Sequence, residues 1–108
     1  MSDYLFVQSQ DPFTEVRTAG QYALASQLAT AGHRVTLYLV QNGVTCARRG
    51  AVCDGFDRLA EQGVTIVADD FSLEQREIGA DQLKSRIQVE EISAVIDALL
   101  AGQKVIWN

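Results

Sequence analysis

Short apolar runs alternate with segments of helical periodicity along the whole 108-residue chain. Tyr4-Leu5-Phe6-Val7 is a continuous aromatic and aliphatic run with no polar interruption. A run of that kind suits a strand buried on both faces of a parallel sheet. After the polar loop 8–12, Thr14 is placed to cap a helix that starts at Glu15. Val16, Ala19, Ala23, Leu24, Leu28 and Ala31 then recur at helical spacing, and Gly32 follows as the stop. A second strand is expected over 34–40, rich in β-branched and aromatic side chains. Asn42-Gly43 ends it as a loop.

The rest of the chain continues the alternation. A helix is expected over 51–62, with Val52, Phe56, Leu59 and Ala60 on one face, and a third strand over 64–68. Ser72 is expected to cap a short helix ending near Glu77, and a brief fourth strand is expected within 83–87. Ile92, Val95, Ile96, Leu99 and Leu100 mark an amphipathic helix, and Lys104-Val-Ile-Trp107 a terminal strand. Strand, helix, strand in repetition implies an α/β fold: a mostly parallel sheet of four to five strands, right-handed crossovers, and helices on both faces. No linker, repeat or low-complexity stretch interrupts it, so residues 1–108 read as a single domain.

Charge narrows the partners. The net charge is −5, against the basic face that a nucleic-acid protein normally carries, so no nucleic-acid binding is expected. The charge is one-sided. Residues 1–53 hold three acids against four bases, and residues 54–108 hold eleven acids against five. The N-terminus has no basic region ahead of an apolar run, and no stretch approaches the ~20 apolar residues of a membrane span. The expectation is a cytoplasmic, reduced protein without membrane contact.

Cofactor and metal chemistry find no residues to carry them. His33 is the only histidine, and Cys46 and Cys53 are spaced C-x6-C, so no metal set is expected. The glycines are single, giving neither a P-loop nor a GxGxxG fingerprint, and no cofactor is expected.

In an open parallel sheet, ligands bind beyond the carboxyl ends of the strands. The loop Gln41-Asn-Gly-Val-Thr-Cys-Ala-Arg-Arg-Gly50 lies at one such end, inside a 38-residue stretch without an acid. Two readings stand there. Cys46 beside Arg48 and Arg49 would have a lowered pKa and act as a nucleophilic or sulfur-carrying thiol, or it is a small core residue beside a solvated arginine pair. Asn42, Gly43, Arg48 and Arg49 form the corresponding anion-binding candidate. Cys53 is expected to fill core. On one helix the two cysteines would stand about 10.5 Å apart, beyond disulfide reach. They could bridge only if Cys46 sits in the loop and folds back. Asp69-Asp70, after the third strand, reads either as a Mg²⁺ site or as a helix N-cap region.

The runs Tyr4-Leu-Phe-Val7, Asp11-Pro12, Thr14-Glu-Val-Arg17, Ala31-Gly-His-Arg-Val-Thr36 and Leu39-Val-Gln-Asn-Gly-Val44 resemble the DsrE/DsrF-like family. So does the end, where Leu99-Leu100 leads into Lys104-Val-Ile-Trp107. The resemblance implies a three-layer α/β/α sandwich that assembles into homo- or hetero-oligomers with related subunits. It also implies work in sulfur relay or intracellular sulfur oxidation, with a sulfur-carrier protein as partner. In sulfur-carrying members the cysteine follows the third strand. This chain has Val67-Ala-Asp-Asp-Phe71 there. The resemblance therefore implies an accessory or non-catalytic subunit, or one in which Cys46 substitutes as the persulfide site. The alternative from another class is a small-molecule or anion-binding module using the 41–50 loop at a subunit interface.

Overall fold

The computed structural model describes residues 2–11, 13 and 17–107, with the side chain of Arg17 left aside. The cap at Thr14, the helix start at Glu15 and the contribution of Val16 lie outside the described residues. Five strands form one sheet: β1 (Asp3–Gln8), β2 (Arg34–Leu39), β3 (Thr65–Asp69), β4 (Ile87–Glu90) and β5 (Lys104–Trp107). Every pairing is parallel, in the order β4-β3-β2-β1-β5. Helices α1 (Arg17–Thr30), α2 (Asp54–Asp57), α3 (Asp70–Gln75) and α4 (Ser93–Leu100) connect them, with 3-10 segments at Gln41–Ala47 and Ala80–Gln82.

The three central strands feed two apolar layers in alternation. Phe6, Val35, Leu37, Leu39, Ile66 and Ala68 point to one face. There they meet Tyr22 and Ala25 of α1, Phe56 of α2, Leu73 of α3 and Val44 of the first 3-10 segment. Leu5, Val7, Tyr38, Val40 and Val67 point to the other face, where only Val95 and Ala98 of α4 are buried against them. The result is an α/β/α sandwich with unequal layers. Three helices cover one face and one helix of eight residues covers the other.

Several local expectations are corrected. In α1 the buried face is Thr18, Gln21, Tyr22 and Ala25, while Ala19, Ala23 and Leu24 face outward. The Tyr22 ring and its buried hydroxyl partner select that face over the alanine stripe. α2 is shorter than expected: residues 51–53 precede it without helical structure, and Val52 is 77% exposed. Phe56 and Leu59 are buried as read. The fourth strand starts where it was expected to end, at Ile87, because Arg86 sits at φ 67 and breaks the extended path. Leu83 still reaches the core, through an isolated antiparallel bridge to Arg48.

Helix ends follow a common rule. At α1, Gly32 N–H reaches Ala29 O and His33 N–H reaches Leu28 O, with Gly32 at φ 94. This is the Schellman arrangement, which glycine adopts without Cβ strain. At α3 the same pair of bonds forms, Glu77 N–H to Glu74 O and Ile78 N–H to Leu73 O, but Glu77 holds the left-handed position at φ 55. A residue with a Cβ costs roughly 1–2 kcal/mol there. Glu77 is exposed. Glu77→Gly should therefore stabilise the protein by about 1 kcal/mol, read as a raised urea midpoint, while Glu77→Ala should bring no such gain.

Candidate functional site

The carboxyl ends of β2, β3, β4 and β5 border a groove of about 540 Å³. Val40, Phe71, Ile92 and Trp107 supply its apolar walls, and Gln41, Asp69, Asp70 and Glu91 its polar ones. Its acids are not balanced by a basic lining residue, so an anion gains nothing from it.

Asp69 ends β3 and is buried. Its Oδ2 accepts from Ser72 N–H at 3.0 Å and from Ser72 Oγ at 2.7 Å. Its Oδ1 accepts from the Tyr38 hydroxyl at 3.1 Å. Ser72 Oγ in turn accepts from Gln41 N–H at 2.8 Å. The N-cap of α3 is thus Asp69, one helical turn ahead of the expected Ser72. Burial, and after it the Asp69 carboxylate, holds the Tyr38 hydroxyl above the usual phenol range. Asp70 is exposed in the first turn of α3. Among the described residues no group of three or more His, Cys, Asp or Glu is placed to hold a metal ion. No helix among them is long and apolar enough to cross a membrane.

The 41–50 candidates do not converge on one cavity. Gly43 is buried, and a Cβ there would run into the Gln8 carbonyl oxygen, so this position needs glycine for close backbone approach. Asn42 Oδ1 accepts from Arg76 Nη2 at 2.9 Å. Arg48 is exposed at its bridge to Leu83. Arg49 donates from Nε to the Leu83 carbonyl at 3.0 Å and borders a separate groove beside Lys84 and Arg86.

Cys46 is fully buried on the 3-10 segment. Its Sγ lies 3.3 Å from Gly43 O and 3.6 Å from the Tyr22 hydroxyl, which accepts from Gln8 Nε2 at 2.7 Å. The Cys53 thiol is its neighbour, packed against the same core cluster. That contact and burial push the Cys46 thiol far up. The expected thiolate beside Arg48 and Arg49 is therefore reversed: the guanidinium groups lie outside while the sulfur lies inside. Cys53 behaves in the opposite way. It is half-buried rather than filling core, and borders a groove of about 440 Å³ with Thr18, Tyr22, Ser26 and Arg58. Its thiol is lowered to about 7, chiefly by the Cys46 thiol it faces, with the Phe56 backbone N–H and Lys84 helping against burial. In the sequence, the only signal was a cysteine just ahead of Asp54-Gly55, which the core reading absorbed.

The model of a family described as the DsrE/DsrF-like family matches residues 2–107. No curated protein matches the sequence. Among solved structures, the chain is similar to the YchN protein of E. coli, with 18% identity and a TM-score of 0.89 over 100% of both chains. It is also similar to MTH1491 of Methanobacterium thermoautotrophicum, a protein of unknown function, with 18% identity and a TM-score of 0.82 over 100% of both chains. BT1422 of Bacteroides thetaiotaomicron, also of unknown function, gives 17% identity and a TM-score of 0.81, covering 99% of this chain and 95% of that one. At these identities the likeness is one of fold.

The two thiols should separate in a pH series of iodoacetamide alkylation on the folded protein, read by peptide mass mapping. The thiolate is the reactive form, so the Cys53 rate should be low in acid and rise through pH about 7. Cys46 should stay unmodified. In Cys46→Ala the Cys53 midpoint should move up, toward the ordinary thiol value of about 8.5.

Proposed function

The chain belongs to the DsrE/DsrF-like family, and from that premise we propose that it serves sulfur metabolism as an accessory subunit that does not store sulfur. One observation carries the reading. At the end of β3, where sulfur-carrying members have a cysteine, this chain has Asp69, fully engaged with Tyr38 and Ser72. Persulfide carrying through Cys46 has less support, because its sulfur has no exposed surface. A sulfur carrier needs a thiolate that both donor and acceptor reach.

An accessory role works through association, and α4 offers the surface for it. Val95 and Ala98 meet the sheet, while the adjacent stripe of Ile92, Ile96, Leu99 and Leu100 is between 48% and 82% exposed. Trp107, 61% exposed on β5, extends this apolar area along the thinly covered face. Contiguous apolar surface of this kind marks an interaction site. The occupant proposed is a related subunit or a second copy of this chain.

Two experiments test the proposal. The reduced protein is incubated with a low-molecular-weight persulfide, freed of excess reagent, and weighed intact. No sulfur-added species should remain; sulfur retained on wild type and lost in either Cys46→Ser or Cys53→Ser overturns the non-carrier reading. For association, light scattering should give a multiple of the 11.8 kDa chain mass for wild type. Ile96→Asp with Leu100→Asp should give the monomer with unchanged far-UV dichroism, since both side chains are exposed. An oligomer that survives the double substitution shows that another surface is used.

A further inference from the structure

Cys46 and Cys53 are brought together by a feature of the chain between them. Ala51 N–H returns to Arg48 O at 3.2 Å, and Gly50 occupies the third position of that turn at φ 89. Positive φ at the third position is what a type II turn requires and what glycine supplies. The turn reverses the chain and brings position 53 back alongside position 46. Tyr22 borders both, its hydroxyl on the Cys46 sulfur and its side chain in the wall of the Cys53 groove.

Their exposures differ in a useful way. Cys53 borders the groove with Thr18, Tyr22, Ser26 and Arg58, open to a small solute. Cys46 lies one layer deeper, where Tyr22, a wall of the same groove, touches its sulfur. We propose that Cys46 and Cys53 form a reversible dithiol–disulfide couple, with Cys53 as the thiol that attacks a low-molecular-weight disulfide and Cys46 as the resolving thiol. This goes beyond the sulfur-metabolism reading and does not depend on it.

The steps balance without a further reactant. Cys53 thiolate attacks one sulfur of the small disulfide RSSR, the S–S bond breaks, and a first RS⁻ leaves as the Cys53–S–S–R mixed disulfide forms. Cys46 attacks the Cys53 sulfur, forming the Cys46–Cys53 bond and expelling a second RS⁻, which takes up the Cys46 proton. Two protein thiols are oxidised, one small disulfide is reduced to two thiols, and the protons from Cys46 and Cys53 end on the two RS⁻ groups.

The order of attack follows from the pair itself. While Cys53 is a thiolate, the neighbouring Cys46 keeps its proton, chiefly because it donates that proton to the thiolate, with the unfavourable second charge a smaller cause. Once Cys53 is in a mixed disulfide that charge is gone, and what still holds the Cys46 proton is burial. Trapping is therefore set at Cys53 and closure at Cys46.

The test uses the full chain, fully reduced, then exposed to oxidised glutathione and quenched in acid. Trypsin cuts after Arg48 and Arg49, between the two cysteines, so a closed couple appears as a linked peptide pair that reduction splits. Wild type should give the linked pair and an intact mass lower by two hydrogens, without a lasting glutathione adduct. Cys46→Ala should instead stop at the mixed disulfide on Cys53, and Cys53→Ser should lose both adduct and link. A wild type that accumulates the mixed disulfide without closing overturns the couple. So does a wild type that stays unmodified in oxidised glutathione, and both readings on wild type are independent of how well either variant folds.

Discussion

The architecture depends on strands β1, β2 and β3 being apolar on both faces. Phe6 goes to one layer while its neighbours Leu5 and Val7 go to the other, and Leu37, Tyr38 and Leu39 repeat the division. A strand of this kind must be covered above and below, which a parallel sheet with helical crossovers provides. The order β4-β3-β2-β1-β5 then fixes the imbalance. Steps from β1 to β4 run one way across the sheet and, by the right-handed rule, lay their connections on one face. The return from β4 to β5 leaves α4 alone on the other. The thin layer and the exposed stripe of α4 are therefore consequences of strand order, not of any weakness in the helix.

Burial also explains the two polar networks. Asp69 is inside because β3 ends in the core, and an interior carboxylate needs its oxygens occupied. Tyr38 and Ser72 do this, and through Ser72 the end of β2 is tied to the end of β3 at Gln41. The other network runs from Gln8 through Tyr22 to Cys46. One network turns a strand end into a helix cap. The other ends on the Cys46 thiol, which Cys53 and burial, not Tyr22, hold in its protonated form.

Strands were legible in the sequence because continuous apolar runs bounded by polar loops have few other uses in a short α/β chain. Helix faces were less so. In α1, alanines at helical spacing pointed to a stripe that the structure turns outward, because Tyr22 buries far more surface than any alanine and its hydroxyl has partners inside. The helix expected over 51–62 shrank to Asp54–Asp57, since Gly55 is a poor helix former and the residues after it are turns ending at Gly63. The strand at 87–90 was displaced from its expected place by a positive φ at Arg86, a position where nothing in the residue type announces one.

What the sequence by itself determined is the run of alternating elements, the acidic balance, the presence of two thiols, and the aspartate pair after the third strand. Each is a property of composition or spacing along the chain. Only the tertiary structure decided which thiol is open and which is closed, because exposure depends on what packs over a residue from elsewhere in the chain. Neighbouring Arg48 and Arg49 pointed to a reactive Cys46, but both guanidinium groups lie on the surface while the 3-10 segment turns the sulfur inward. Cys53, set down as core, was left at a groove edge by the turn at Gly50 and the side of α1. Charge close in sequence is not charge close in space, and a thiol responds to the second.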